Sequence, residues 1–465
     1  MTVSHPLREV LHNEVHARPH EHLSAPLALT HLALLTPAGE VPPGAVREHL
    51  CELLRAHHLP LPAPEDSHIG VDLGGVHLRW EQHTEFQTYT FRRALPQVPT
   101  AFDASATDLV PREWLARMPG QWLVGIHLLV LPQAELADDL IPQALDASSL
   151  CGARLMGGEA AVYGDFRLHA DGFGRMLLAT TPAMSQIHLG RAVQRLVEVE
   201  TYRMLALLGL PAAREVTATL AGAERDLAHL ANRIRSADRR SEPELLHELT
   251  QLAAQVESLY ASTHARFSAS AAYFELVDNR LDELREERIP GLPTLREFLD
   301  RRVAPARQTC AWAGRRQQQL SERISRASNL LRTRVEIEQQ QNSQDLLDAM
   351  NRRQKVQILL QSAVEGLSVA AITYYGAGLV GYVAKGLHER GWLPISTDEA
   401  VAVSVPIIAV AIWRAIRRLH RVAHRVAGEP DRADHDAGAQ PRATGGASNG
   451  ARGGRARFSR KVSPR

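Results

Sequence analysis

Cysteine is scarce in this chain: Cys51, Cys151 and Cys310 stand far apart among 465 residues. With no pair at CxxC spacing, they exclude a disulfide framework and a thiolate metal knuckle, and a reducing compartment fits them best. Lysine is equally rare, at Lys355, Lys385 and Lys461 only, so the basic residues are almost all arginine. Neither sign of charge prevails, because 53 Lys and Arg face 52 Asp and Glu for a net +1. That balance excludes a global pull on nucleic acid, and no specific nucleic-acid partner is expected. The first residues, MTVSHPLREVLHNEVHARPH, have no long apolar run behind a basic tip, and we read no cleaved signal peptide there. What is present is 45% hydrophobic residues over a length suited to two or three folded units.

Between residues 25 and 182 the pattern has period two and is punctuated by turns. It predicts strands over LALTHLALL (27–35), VHLRWEQH (76–83), EFQTYTFRR (85–93), WLVGIHLLVL (122–131), AVYGDFRLHA (161–170) and GRMLLAT (174–180). Asp171-Gly172 between the last two predicts a hairpin, and helices are expected over 44–58 and 134–147. Residues 1–182 therefore read as an α+β domain with a largely antiparallel sheet, lying in the cytoplasm.

After Pro182 apolar residues recur at spacings of three and four, and three long amphipathic helices are expected within 183–304. Gly209-Leu-Pro211, Ser241-Glu-Pro243 and Ile289 to Pro293 mark their breaks. From Pro305 to Val364 no further proline interrupts the chain. A long helix over 305–365 follows, a rod of roughly 90 Å leading to a membrane. A seam runs along it through Leu320, Ile324, Ala327, Leu331, Val335, Asn342, Leu346, Ala349, Arg353, Val356, Leu360 and Val364. It serves either a coiled coil, with Asn342 fixing the register of a homo-oligomer, or packing on the chain's own helices.

Residues 366–384 are 19 in a row without a charge, enough for about 28 Å of helix against a hydrocarbon layer of about 30 Å. A second run over 400–413 reaches 416 if Arg414 snorkels, so 366–416 reads as a two-helix transmembrane hairpin. Its flanks carry Arg352, Arg353 and Lys355 before it and Arg414, Arg417, Arg418, Arg421 and Arg425 after it, whereas the loop has only Lys385 and Arg390. Both termini are then expected on the cytoplasmic side of a bacterial inner membrane. A hairpin buried in a soluble core is the competing reading. The tail 428–465 lacks apolar periodicity and is expected to be disordered, its arginines resting on anionic lipids.

Few residues form chemical constellations. His5, His12, His16, His20 and His22 gather near the start, but Pro19 interrupts the i, i+4 spacing and no HExxH follows, so no metal is assigned. Gly152 to Gly158 lacks the GK[ST] ending of a phosphate loop, and the three cysteines have no nucleophile signature, so no cofactor, substrate or catalytic residue is named. In the first apolar run, Gly376, Ala377, Gly378 and Gly381 suit close helix packing. Arg352, Arg353 and Glu365 would form a charged ring at the membrane entry if copies assemble around an axis.

Several segments stand out together, among them HPLREVLHNEVHARP (5–19), GDFRLHADGFGRMLL (164–178), RFSASAAYFELVDNRLDELRE (266–286) and VEGLSVAAITYY (364–375). They resemble a bacterial family of uncharacterised membrane-anchored proteins, the domain-of-unknown-function family numbered 3422. The resemblance implies a membrane anchor and no established activity. The domain order is also similar to that of CorA-type magnesium channels, although Gly381-Tyr-Val-Ala-Lys385 stands where that family has Gly-Met-Asn. Two functions are therefore expected: an oligomeric scaffold or interaction platform, or a homo-oligomeric cation channel lacking that filter.

Overall fold

The computed structural model describes residues 4–5, 7–8, 11–12, 21–37, 39–99, 101–103, 105–137, 139–236, 241–388 and 394–427, with side chains to 418 apart from 397. The chain divides into two compact units, Met1–Ile337 and Glu338–Arg465.

In the first unit, β1 (Leu27–Leu35), β3 (His77–Gln82), β4 (Phe86–Ala94), β5 (Gln121–Pro132) and β8 (Gly174–Thr180) form where period-two alternation places them. With β2 (His68–Asp72), β6 (Cys151–Leu155), β7 (Ala160–Gly164) and β9 (Glu287–Arg288) they make one sheet in the order β2-β3-β4-β1-β5-β8-β7-β6-β9. The sheet is mixed, because β5 pairs parallel with β8 from Ile126 and Gly174 to Pro132 and Thr180. The domain is thus α/β with a mixed sheet, largely antiparallel as expected, in which β5–β8 is the parallel pair among the described strands. β6, β7 and β8 form a meander that meets β5 through β8, and the long chain between Pro132 and Gly174 supplies the crossover that a parallel pair requires.

Two expected elements are shorter than the pattern suggested. β7 ends at Gly164 because Asp165 is buried and its carboxylate accepts the backbone N–H of Asp146 (2.9 Å) and Arg167 (3.1 Å). Those bonds turn the chain out of the ladder, so the β7–β8 hairpin closes through a longer loop containing Gly172 at φ 82°. Over 134–147 the helix is reduced to a 3-10 turn and Leu140–Ala144. The glycine-rich stretch 152–158 is strand β6 followed by a turn in which Met156, Gly157 and Gly158 all take positive φ.

Helices cover both faces of the sheet. On one face α1 (Ala45–Ala56) and the short α2 (Arg112–Ala116) bury Leu50, Leu53, Leu54 and Trp114 against Leu78, Trp80, Tyr89 and Phe91. α3 (Leu140–Ala144) adds Leu140 against Leu129 and Leu177 of the same sheet. On the opposite face α4 (Gln186–Leu207) and α6 (Glu242–Leu284) pack Leu189, Val193, Leu196, Val277 and Leu281 onto Leu29, Leu128 and Leu178. α5 (Gly209–Ser236), α6 and α7 (Leu295–His388) share a second core made by Leu220, Leu227, Leu249, Val256, Leu320, Ile324 and Leu331. α7 begins at Leu295 and runs unbroken through Pro305, where the sequence pattern put the start of the long helix. Proline costs a helix about 3 kcal/mol, and the burial of Phe298, Leu299, Cys310 and Ala313 on either side offsets it.

The second unit contains the remainder of α7 from Glu338 and α8 (Thr397–Ala427). By length and composition, three helical stretches could cross a membrane: Gln186–Ser236, Leu295–His388 and Asp398–Arg418. The first owes its apolarity to the core of the first unit, where Leu189, Val193 and Leu196 are buried. The third has none of its apolar window buried. Residues 428–465, expected to be disordered, lie outside the described residues.

Candidate functional site

The face of β1, β3 and β4 that points at α4 is polar, and this decides where a site forms. Pairing sets Arg79, Thr90 and His31 in one row across the three strands and Glu81, Thr88 and Ala33 in the next. Successive side chains of a strand alternate faces, so apolar packing under α1 dictates that these polar groups point the other way. α4 lies over them and leaves a cavity of about 280 Å3. Gly190 lets the chain at Glu21 close one side, since a Cβ there would fall 1.8 Å from the Glu21 carbonyl oxygen.

His31 is fixed by two hydroxyls. The Thr201 hydroxyl donates to the Val197 carbonyl (2.7 Å), so its oxygen accepts from His31 Nε2–H (3.0 Å), and His31 Nδ1 accepts from Thr90 (2.8 Å). Burial lowers the His31 pKa to about 4, with the Glu81 carboxylate pulling the other way. The imidazole is neutral at ordinary pH, held in one tautomer, and positions the wall of the cavity. His127 is its counterpart on the far face: Thr30 Oγ1 lies 2.8 Å from Nδ1, Phe173 stacks at 4.1 Å, and burial again lowers the pKa to about 4.

Charges in the cavity wall come as neighbours of opposite sign. Arg79 reaches Glu81 (2.8 Å), Arg195 reaches Glu198 (3.0 Å), and Arg280 from α6 reaches the same Glu198 carboxylate. Glu21 contacts Arg92 (3.1 Å) and lies 3.6 Å from His77. Half-buried pairs of this kind are held more firmly than surface pairs because water screens them less. The thiols carry no comparable chemistry, since burial pushes Cys151 up to about 12 and raises Cys310 as well. Among the described residues no three His, Cys, Asp or Glu side chains gather in a metal-holding group. His5, His12 and His22 are described singly, and His16 and His20 lie outside the described residues.

The register, charged-ring and helix-packing residues named from sequence fall in the second unit. Asn342, Arg352 and Arg353 are exposed along α7, and Glu365 is half-exposed. Gly376 and Gly381 face α8, because a Cβ would meet Ile408 Cγ2 and Val401 Cγ2 at 3.2 Å, whereas Gly378 faces open space and Ala377 is buried. The seam divides: Leu320, Ile324 and Leu331 pack on α5 and α6, while Leu346, Val356, Leu360 and Val364 stay exposed.

Sequence reading missed the cavity. Its only local signal is the run of ionisable side chains at alternate positions of β3, His77, Arg79 and Glu81, which reads as a solvated strand face unless the covering helix is known. Arg195 and Glu198 gave no better warning, because α4 is amphipathic with many Arg and Glu.

The family model described as "Protein of unknown function (DUF3422)" matches residues 3–423. No curated protein and no solved structure matches the chain.

Proposed function

The chain belongs to the DUF3422 family, whose description names no activity, and we propose that it is a membrane-anchored, self-associating platform. One observation carries the reading. Along α7 and α8 beyond Ile337, large apolar side chains are uncovered in a single copy: Leu360 is 62% exposed, Leu367 73%, Leu379 67% and Ile407 63%. Apolar surface of that extent calls for lipid or another protein surface.

The two kinds of cover divide along the helix. Residues 366–384 and 400–416 are free of acidic side chains and take lipid, as a two-span hairpin with Gly376 and Gly381 at the helix contact. The arginine-rich flanks then lie on the cytoplasmic side of a bacterial inner membrane, with both termini, and the tail 428–465 meets anionic lipids. Residues 338–364 carry Arg352, Arg353 and Lys355 among their apolar groups, which suits pairing with the same helix of a second copy rather than insertion. Asn342 fixes the register in that pairing.

Fractionation tests the anchor and cross-linking tests the pairing. The full-length protein should pellet with membranes, resist carbonate and dissolve in detergent. Recovery in the supernatant without detergent overturns the anchor. A Leu346→Cys variant should give cross-linked dimers or higher species in detergent, and a strict monomer at all concentrations overturns the platform. Divalent-cation flux through reconstituted liposomes would replace the platform by a channel, with Glu365 near its inner mouth.

A further inference from the structure

We propose that the cavity between α4 and strands β1, β3 and β4 is a binding site for a small, neutral, polyhydroxylated molecule of about monosaccharide size. The volume of about 280 Å3 lies at the low end of the range for ligand pockets and suits a compact molecule. Its walls decide the charge. Arg79, Arg195 and Arg280 face Glu21, Glu81 and Glu198, and each of these guanidiniums touches a carboxylate of the same set.

A ligand with net charge would compete with one member of these half-buried pairs for its partner, which costs part of the pairing. A zwitterion needs separate regions of each sign, and the interleaved pairs offer none. Hydroxyl groups meet neither objection, since each can donate to a carboxylate and accept from a guanidinium without disturbing the pairs. A second observation points the same way. Thr88 is 4% exposed and lines the cavity, and its hydroxyl makes no hydrogen bond with any described residue. The residue is otherwise buried and its oxygen opens onto the cavity, so a hydroxyl of the ligand can supply its partner. Phe86 and Tyr202 add ring surface at the wall, suited to the C–H face of a sugar ring.

The test uses the full-length protein in detergent and calorimetric titration with a panel of monosaccharides and cyclic polyols, with glycine, glutamate and inorganic phosphate alongside. At least one polyol should bind with a Kd of about 1 mM or tighter. Thr88→Val removes the hydroxyl while keeping the shape and should weaken that binding about tenfold, while Thr88→Ser should retain it. The thermal midpoints of both ligand-free variants should match the parent, which separates a binding defect from a folding one. Absence of polyol binding, binding of only the amino acids or phosphate, or unchanged affinity in a folded Thr88→Val protein would each overturn the assignment.

Discussion

Single residues set the pH response of the first unit. His31 and His127 are each held neutral by burial with a pKa of about 4, against about 6.5 in the unfolded chain. Between those values the unfolded state binds the extra proton, so the stability these groups contribute is complete above about pH 6.5 and declines as pH falls toward 4. Each accounts for up to roughly 3 kcal/mol over that interval. Urea unfolding followed by tryptophan fluorescence should therefore show stability dropping from pH 7.5 to 4.5, and His31→Gln should flatten part of the slope. A pH-independent midpoint in the parent protein would contradict the burial argument. Gly190 makes a second residue-scale prediction. Its missing side chain lets the Glu21 carbonyl approach α4, so Gly190→Ala should cost about 1–3 kcal/mol and open the cavity edge, measured as a lowered thermal midpoint. Neither residue was legible as special: a lone histidine in LALTHLALL and a glycine in a helical pattern are ordinary signals until their neighbours are known.

Within elements, α7 shows how one apolar pattern serves two environments. Ile324 and Leu360 both belong to the seam at spacings of three and four, yet Ile324 is fully buried among α5 and α6 and Leu360 is exposed. Ile324→Ala should cost roughly 2–5 kcal/mol of folding stability through loss of transfer energy and the cavity left behind. Leu360→Ala should leave the unfolding midpoint of the first unit unchanged and lower the cross-linking yield of Leu346→Cys protein. Equal effects of the two substitutions on unfolding would show that the seam has a single environment. β3 was legible from its alternation, β4 from its β-branched and aromatic residues, and β1, β5 and β8 from short, mostly apolar runs bounded by turns. β2, β6 and β9 were not, being short, glycine-bearing or only two residues long. Pro305 misled for a related reason: local propensity opposes a helix there, and tertiary burial on both sides outweighs it.

For the molecule as a whole, the sequence by itself determined the alternation from strand-rich to helical segments, the neutrality of total charge and the two apolar stretches near the carboxyl end. These follow from composition and period, which act over neighbouring residues and need no knowledge of distant ones. The tertiary structure alone decided that β5 and β8 run parallel, that Leu320 and Ile324 are covered while Leu360 is not, and that Arg79 and Glu81 face α4 instead of water. The reason is that a polar strand face and a solvent-facing one share the same period-two signature. Only the packing of a helix more than a hundred residues away in the chain removes the water and turns such a face into a cavity.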